Sequence, residues 1–124
     1  MRRVNLALVA LVAVSATALL SLASCSNEGE PGGCFREHEG TCVQYGRPQG
    51  AAGKRMCDKN KWIAGEKACP MEKRLGSCTY KGDKAPEFLY GGAPNNYTSS
   101  SARNHCDFAG GFFEPTPSGS SSAK

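Results

Sequence analysis

Seven cysteines and two histidines carry most of the reactive side-chain chemistry in this 124-residue chain. Cys34, His38 and Cys42 are evenly spaced and His105 precedes Cys106, donors of the kind that hold zinc. Thiolate zinc sites need reduced cysteines, and no Cys-x-x-Cys pair is present. These residues therefore read as solvated histidines beside disulfides, and no metal or other cofactor is expected. Thiol redox catalysis wants a Cys-x-x-Cys with a depressed thiol pKa at a helix N-terminus, whereas Cys57 and Cys106 fall late in their expected helices. A serine nucleophile needs a base and an orienting acid. His38 and His105 are the only imidazoles, Ser99 to Ser101 read as a helix start, and His105 and Asp107, two apart on a helix, diverge. No catalytic residue is assigned, and the chain is expected not to be an enzyme.

The remaining cysteine, Cys25, sits in a different setting. A basic start, Met1-Arg2-Arg3, leads into an apolar stretch from Leu6 to Leu22 broken only by Ser15, Thr17 and Ser21, after which the composition turns polar. That is the layout of an export signal, and its Ala, Ser and Thr content argues against a stable membrane span. It closes on Leu22-Ala23-Ser24-Cys25, which resembles the lipobox of bacterial lipoproteins. The resemblance implies a lipoprotein signal peptide over 1–24, cleavage before Cys25, a diacylglyceryl group on its thiol, and acylation, palmitate included, of the new amino group. Two or three chains make such an anchor effectively permanent. Ser26 in place of Asp points to the outer membrane of the bacterial cell envelope. The membrane, reached through this N-terminal lipid, is then the one partner the sequence names.

Assigning Cys25 to lipid leaves Cys34, Cys42, Cys57, Cys69, Cys78 and Cys106, an even set from which three disulfides follow. Residues 25–33 read as the lipidated cysteine and a flexible tether, 34–114 as a disulfide-stapled domain, and 115–124 as a disordered Ser, Pro and Gly tail. Large aliphatics in the domain are few (Val43, Ile63, Leu75, Leu89), so the core is thin and staples are needed. Loss of Arg2 and Arg3 from the 15 basic residues leaves a charge near +2. Basic residues are scattered among acidic ones and line no single stripe, which gives no support to nucleic-acid binding and little to a membrane-surface patch.

Two stretches read alike once aligned on cysteines. Gly40-Thr41-Cys42-Val43-Gln44-Tyr45 is followed by Ala51 to Asp58 and then Lys61-Trp62; Gly76-Ser77-Cys78-Thr79-Tyr80 is followed by Ser100 to Asp107 and then Phe112-Phe113. Each offers a strand start, a short helix carrying Cys-Asp, and aromatics after it. In the second, Thr98 or Ser99 can cap the helix, Ala102, Cys106 and Ala109 share a face, and Gly110-Gly111 ends it; Thr79-Tyr80 and Phe88-Leu89-Tyr90 read as a hairpin. The expected fold is a small disulfide-rich α+β domain of two related strand-or-hairpin plus short-helix units, about 34–70 and 71–114. Equivalence between units favours Cys42 with Cys57 and Cys78 with Cys106, leaving Cys34 with Cys69, among about 15 possible connectivities.

Arg74-Leu75-Gly76-Ser77-Cys78-Thr79-Tyr80, the Ala102 to Cys106 segment and Gly110-Gly111-Phe112-Phe113 together resemble a recurrent module of small, uncharacterised lipoproteins of myxobacteria and their relatives. The likeness covers most of 40–115 and departs at Trp62, which no Gly-Gly precedes, and at Glu114-Pro115, where the first half has Cys69-Pro70. It implies a scaffold and a location but no reaction. The segment from Lys81 to Tyr97, with Phe88, Tyr90, Tyr97 and three glycines, can either present apolar surface on a loop or complete the small core, and the second reading is preferred. Asn96-Tyr97-Thr98 matches a glycan acceptor by chance. The function expected is a non-catalytic binding or structural module of the envelope, with an envelope protein as possible partner. The alternative is a small extracellular inhibitor of a hydrolase.

Overall fold

A computed structural model describes residues 28–117, so the expected signal peptide, Cys25 and the last seven residues lie outside the described part. The elements run β1 (Gly32–Arg36), a single 3-10 turn (Glu37–Glu39), β2 (Thr41–Tyr45), α1 (Arg47–Cys57), β3 (Lys61–Ala64), β4 (Arg74–Thr79), β5 (Glu87–Tyr90), α2 (Ser99–Phe108) and β6 (Phe112–Pro115). All six strands join one antiparallel sheet in the order β3-β1-β2-β5-β4-β6. The fold is therefore a small disulfide-rich α+β domain. Among the described residues no helix is long and apolar enough to cross a membrane.

Local sequence explains the elements. Gly40, at φ 63°, closes the tight turn between β1 and β2. α1 begins with proline in its first turn, where a missing N–H costs nothing. Gly50, Gly53 and Cys57 form its buried face. Gly53 lies so close under the Tyr45 ring that any Cβ there would overlap it. α2 starts in a capping box: Thr98 Oγ1 accepts from Ser101 N–H (3.2 Å) and Ser101 Oγ accepts from Thr98 N–H (2.9 Å). Thr98 is thus the cap, Ala102 and Cys106 turn inward, and Ala109 is exposed, because the helix has ended before it.

Both helices pack on one face of the sheet. Period-2 alternation sends Cys34, Val43 and Tyr45 toward α1, and Cys78, Leu89 and Phe113 toward α2. Three disulfides form: Cys34–Cys57 ties β1 to α1, Cys78–Cys106 ties β4 to α2, and Cys42–Cys69 pins the segment after β3 onto the opposite face. The expected partners of the first four cysteines are thereby exchanged, since Cys42–Cys57 and Cys34–Cys69 do not form. Cys34 and Cys42 lie on adjacent strands but on opposite faces of the sheet, and only Cys34 looks at the helix.

Three strands were not foreseen: β1, β3 and β6. β1 takes the last residues of the expected tether, with Pro31, Gly32 and Gly33 buried. At the other end, Thr116 N–H donates to Leu75 O at 2.8 Å, which ties the start of the expected tail to β4.

Candidate functional site

Residues 65–73 form a strap across the sheet face opposite the helices, and several of the residues singled out in the sequence hold it there. Gln44, on β2, grips the start and the middle of the strap. Its amide nitrogen donates to Gly65 O and its oxygen accepts from Cys69 N–H, each at 3.1 Å. Arg74 donates to Cys69 O at 2.6 Å and to Pro70 O at 2.8 Å, and stacks 3.8 Å above the Phe88 ring. Tyr90 Oη donates to Pro70 O at 2.8 Å. Burial pushes the Tyr90 hydroxyl pKa up against the opposing charge of Arg74.

The Arg74 to Tyr80 motif is accordingly built for architecture. Besides Arg74, Gly76 leaves room for the Phe113 ring, Cys78 bonds Cys106, Thr79 Oγ1 donates to Phe112 O (3.3 Å), and Tyr80 Oη donates to Glu87 (3.0 Å).

Between the strap, the 3-10 turn and the loop after β5 lies an open groove of about 630 Å³. Its floor is Phe35 set edge-on to Tyr90 (centroids 5.8 Å apart, 83° between planes), and Pro70 and Pro94 stand on its sides. Glu37, His38, Glu72 and Lys73 form the rim. Of the aromatic segment 81–97, Leu89 and Tyr90 are buried and Phe88 and Tyr97 half-buried, so these rings mainly complete the core, and of the three rings Tyr90 lines the groove. Of the large hydrophobics left in solvent, Met71 sits in the strap between Pro70 and Glu72 and Met56 on α1, while Phe108, 96% exposed, and Phe112, 68% exposed, lie beside the β6 edge.

A second cluster occupies the helix side and includes His105, weighed above as a metal donor and as a base, among neighbours the sequence did not bring together. Glu87 is 8% exposed between the two helices. Its Oε2 accepts from Tyr80 and lies 3.7 Å from His105 Nε2, while Arg36 Nη1 stands 3.8 Å from Oε1 and 3.3 Å from Glu39. Tyr97 Oη is 3.4 Å from His105 Nδ1, so both imidazole nitrogens face partners. Burial first, and then the Glu87 charge, raise the Tyr80 pKa to about 12. Burial, followed by the charges of Glu87 and Glu39, also raises that of Tyr97. A cleft of about 440 Å³ leads from this cluster past Val43, Tyr45 and Met56 to solvent. The only sequence signal was the mixture of acid, base and phenols within 80–105, which carries no spacing rule.

The other candidates are dispersed. His38 is exposed at the groove rim, and Cys34 and Cys42 belong to different disulfides. Ser99 and Ser100 open α2, Ser101 is spent on its cap, and no group of three or more His, Cys, Asp or Glu able to hold a metal occurs among the described residues. Compared with protein-family models, with curated proteins and with solved structures, the chain matches none.

Proposed function

We propose that this protein is a bacterial lipoprotein of the cell envelope, exported, cleaved before Cys25 and held by lipid on that residue, whose domain serves as a non-catalytic binding or structural module. What carries the reading is cysteine partition. The six cysteines from Cys34 onward are consumed by three internal disulfides, which leaves Cys25, by count, for the thiol chemistry of Leu22-Ala23-Ser24-Cys25. Three bridges also fit an oxidising compartment outside the cytoplasm. The aromatic groove between strap and loop is the surface offered to an envelope partner. Intact mass spectrometry of the processed protein tests the reading: acyl mass on residue 25 and a gain of six hydrogens on reduction are expected. Cys25→Ser should release the protein from membranes, and a variant still firmly membrane-held with its leader removed overturns the proposal.

The domain also reads as two related β-β-α-β units, in a register different from the one suggested by sequence. Support comes from the strand order, which is β3-β1-β2 in one half and β6-β4-β5 in the other. The counterpart of Cys78 is then Cys34 and not Cys42: Cys34 stands opposite Trp62 and Val43, and Cys78 opposite Phe113 and Glu87. Gly32 beneath Trp62 corresponds to Gly76 beneath Phe113. Where the first unit sets Gly53 under Tyr45, the second packs Ala102 with Leu89, pairing the smaller residue with the larger ring.

A further inference from the structure

The described residues begin close, along the chain, to the expected lipid. Gly29 N–H donates to Arg47 O at 2.9 Å and Gly65 N–H to Pro31 O at 2.8 Å, fixing residues 29–31 between the start of α1 and the end of β3. From Cys25 to Glu28 the chain spans at most roughly 11 Å. A lipid on Cys25 therefore cannot lie far from this corner of the domain.

The same side gathers basic residues that look dispersed along the sequence. At 100° per residue, α1 turns Gly50, Gly53 and Cys57 to the sheet and Gln49, Ala52 and Met56 to the cleft beside Glu87. Arg47 and Lys54 fall on the opposite flank, toward the β3 edge, with Ala51 touching Gly29. Lys59 lies in the turn before β3, Lys61 on β3 and Lys67 at the start of the strap, all exposed; Lys61, paired with Phe35, projects to the strap face, so these lysines reach the β3 edge from the side of the sheet away from α1. With Arg55 this region holds six basic residues against the four acids Glu28, Glu30, Asp58 and Glu66. The remaining described residues hold six against seven.

We infer that the β3 edge, with the flank of α1 beside it, is a membrane-facing surface that lies on anionic phospholipid headgroups, leaving the β6 edge, at the other end of the sheet, turned away. This rests on the lipid-anchor reading and adds an orientation to it. The short tether supplies proximity, and the excess of lysine and arginine supplies attraction within a Debye length of the surface.

The test uses the processed protein, its acyl mass read first, reconstituted into phosphatidylcholine vesicles with or without about 30 mol % phosphatidylglycerol. Lysine acetylation rates are then read by peptide mass spectrometry. With the anionic lipid, Lys54, Lys59, Lys61 and Lys67 should react at least about threefold more slowly, and recover in about 1 M NaCl, where the Debye length is about 3 Å. Lys73, Lys81 and Lys84 should not change. Lys59→Glu/Lys61→Glu, at two exposed positions, should abolish the protection of Lys54 and Lys67. Uniform rates in acylated protein overturn the orientation and leave the anchor standing. Absence of acyl mass on Cys25 overturns the anchor, and the orientation with it.

Discussion

Replacing Cys78 and Cys106 together with alanine removes the bond that ties β4 to α2 in the half of the domain that has only one bridge. The two cysteines are 28 residues apart, and no other disulfide crosses that interval. Loop-closure entropy for such a separation is about 3.6 kcal/mol. Both side chains are fully buried against Leu89, Ala102 and Phe113, and the void left by two sulfurs adds roughly 1 kcal/mol. A loss of about 4–5 kcal/mol is therefore expected, much of the net stability of a typical domain, about 5–15 kcal/mol. Urea unfolding of both proteins measures it, and the slope should rise, because the uncrosslinked chain unfolds further. The interlocked pair Cys34–Cys57 and Cys42–Cys69 provides the comparison. With the first intact, the loop closed by the second is effectively about 20 residues, worth about 3.3 kcal/mol. A loss below about 2 kcal/mol for Cys78→Ala/Cys106→Ala, with an unchanged slope, would refute the view that the bridge acts on the unfolded chain.

Arg74→Ala should cost about 2–3 kcal/mol, because it removes charged hydrogen bonds to Cys69 O and Pro70 O together with the stack on Phe88. Amide exchange in the 65–73 strap should rise, and Arg74→Lys should not restore protection, since lysine lacks the planar fork. Thr41→Val should be neutral or stabilising by about 1 kcal/mol in thermal or urea unfolding, because the Thr41 hydroxyl is fully buried with no hydrogen-bond partner among the described residues. Ultraviolet titration of the tyrosines should show Tyr80 ionising near pH 12 and lose that step in Tyr80→Phe. Since the folded pKa lies above the ordinary value of 10.0, this contribution to stability is complete below pH 10 and should disappear as the pH rises to about 12.

The sequence by itself carried the information that is local or can be counted. Cysteine parity, the thin core, the Thr98 cap and the glycine stop of α2 depend on neighbours within one turn of chain, and α2 and the β4–β5 hairpin were legible for that reason. It did not carry which residues face each other across the sheet. β1, β3 and β6 are four or five residues long, too short for a period to emerge, and β1 hides in a glycine-rich stretch that resembles a tether. With β1 missed, Cys42 reads as the first strand cysteine, and Cys42–Cys57 with Cys34–Cys69 are expected in place of Cys34–Cys57 and Cys42–Cys69. Only the sheet decides this point, because adjacent paired strands can send their cysteines to opposite faces: Cys34 to α1, and Cys42 to the strap. The Glu87 cluster was invisible for the same reason. Arg36, Tyr80, Glu87 and His105 are spread over some 70 positions and meet only because β2 pairs with β5, a tertiary contact that no spacing rule encodes.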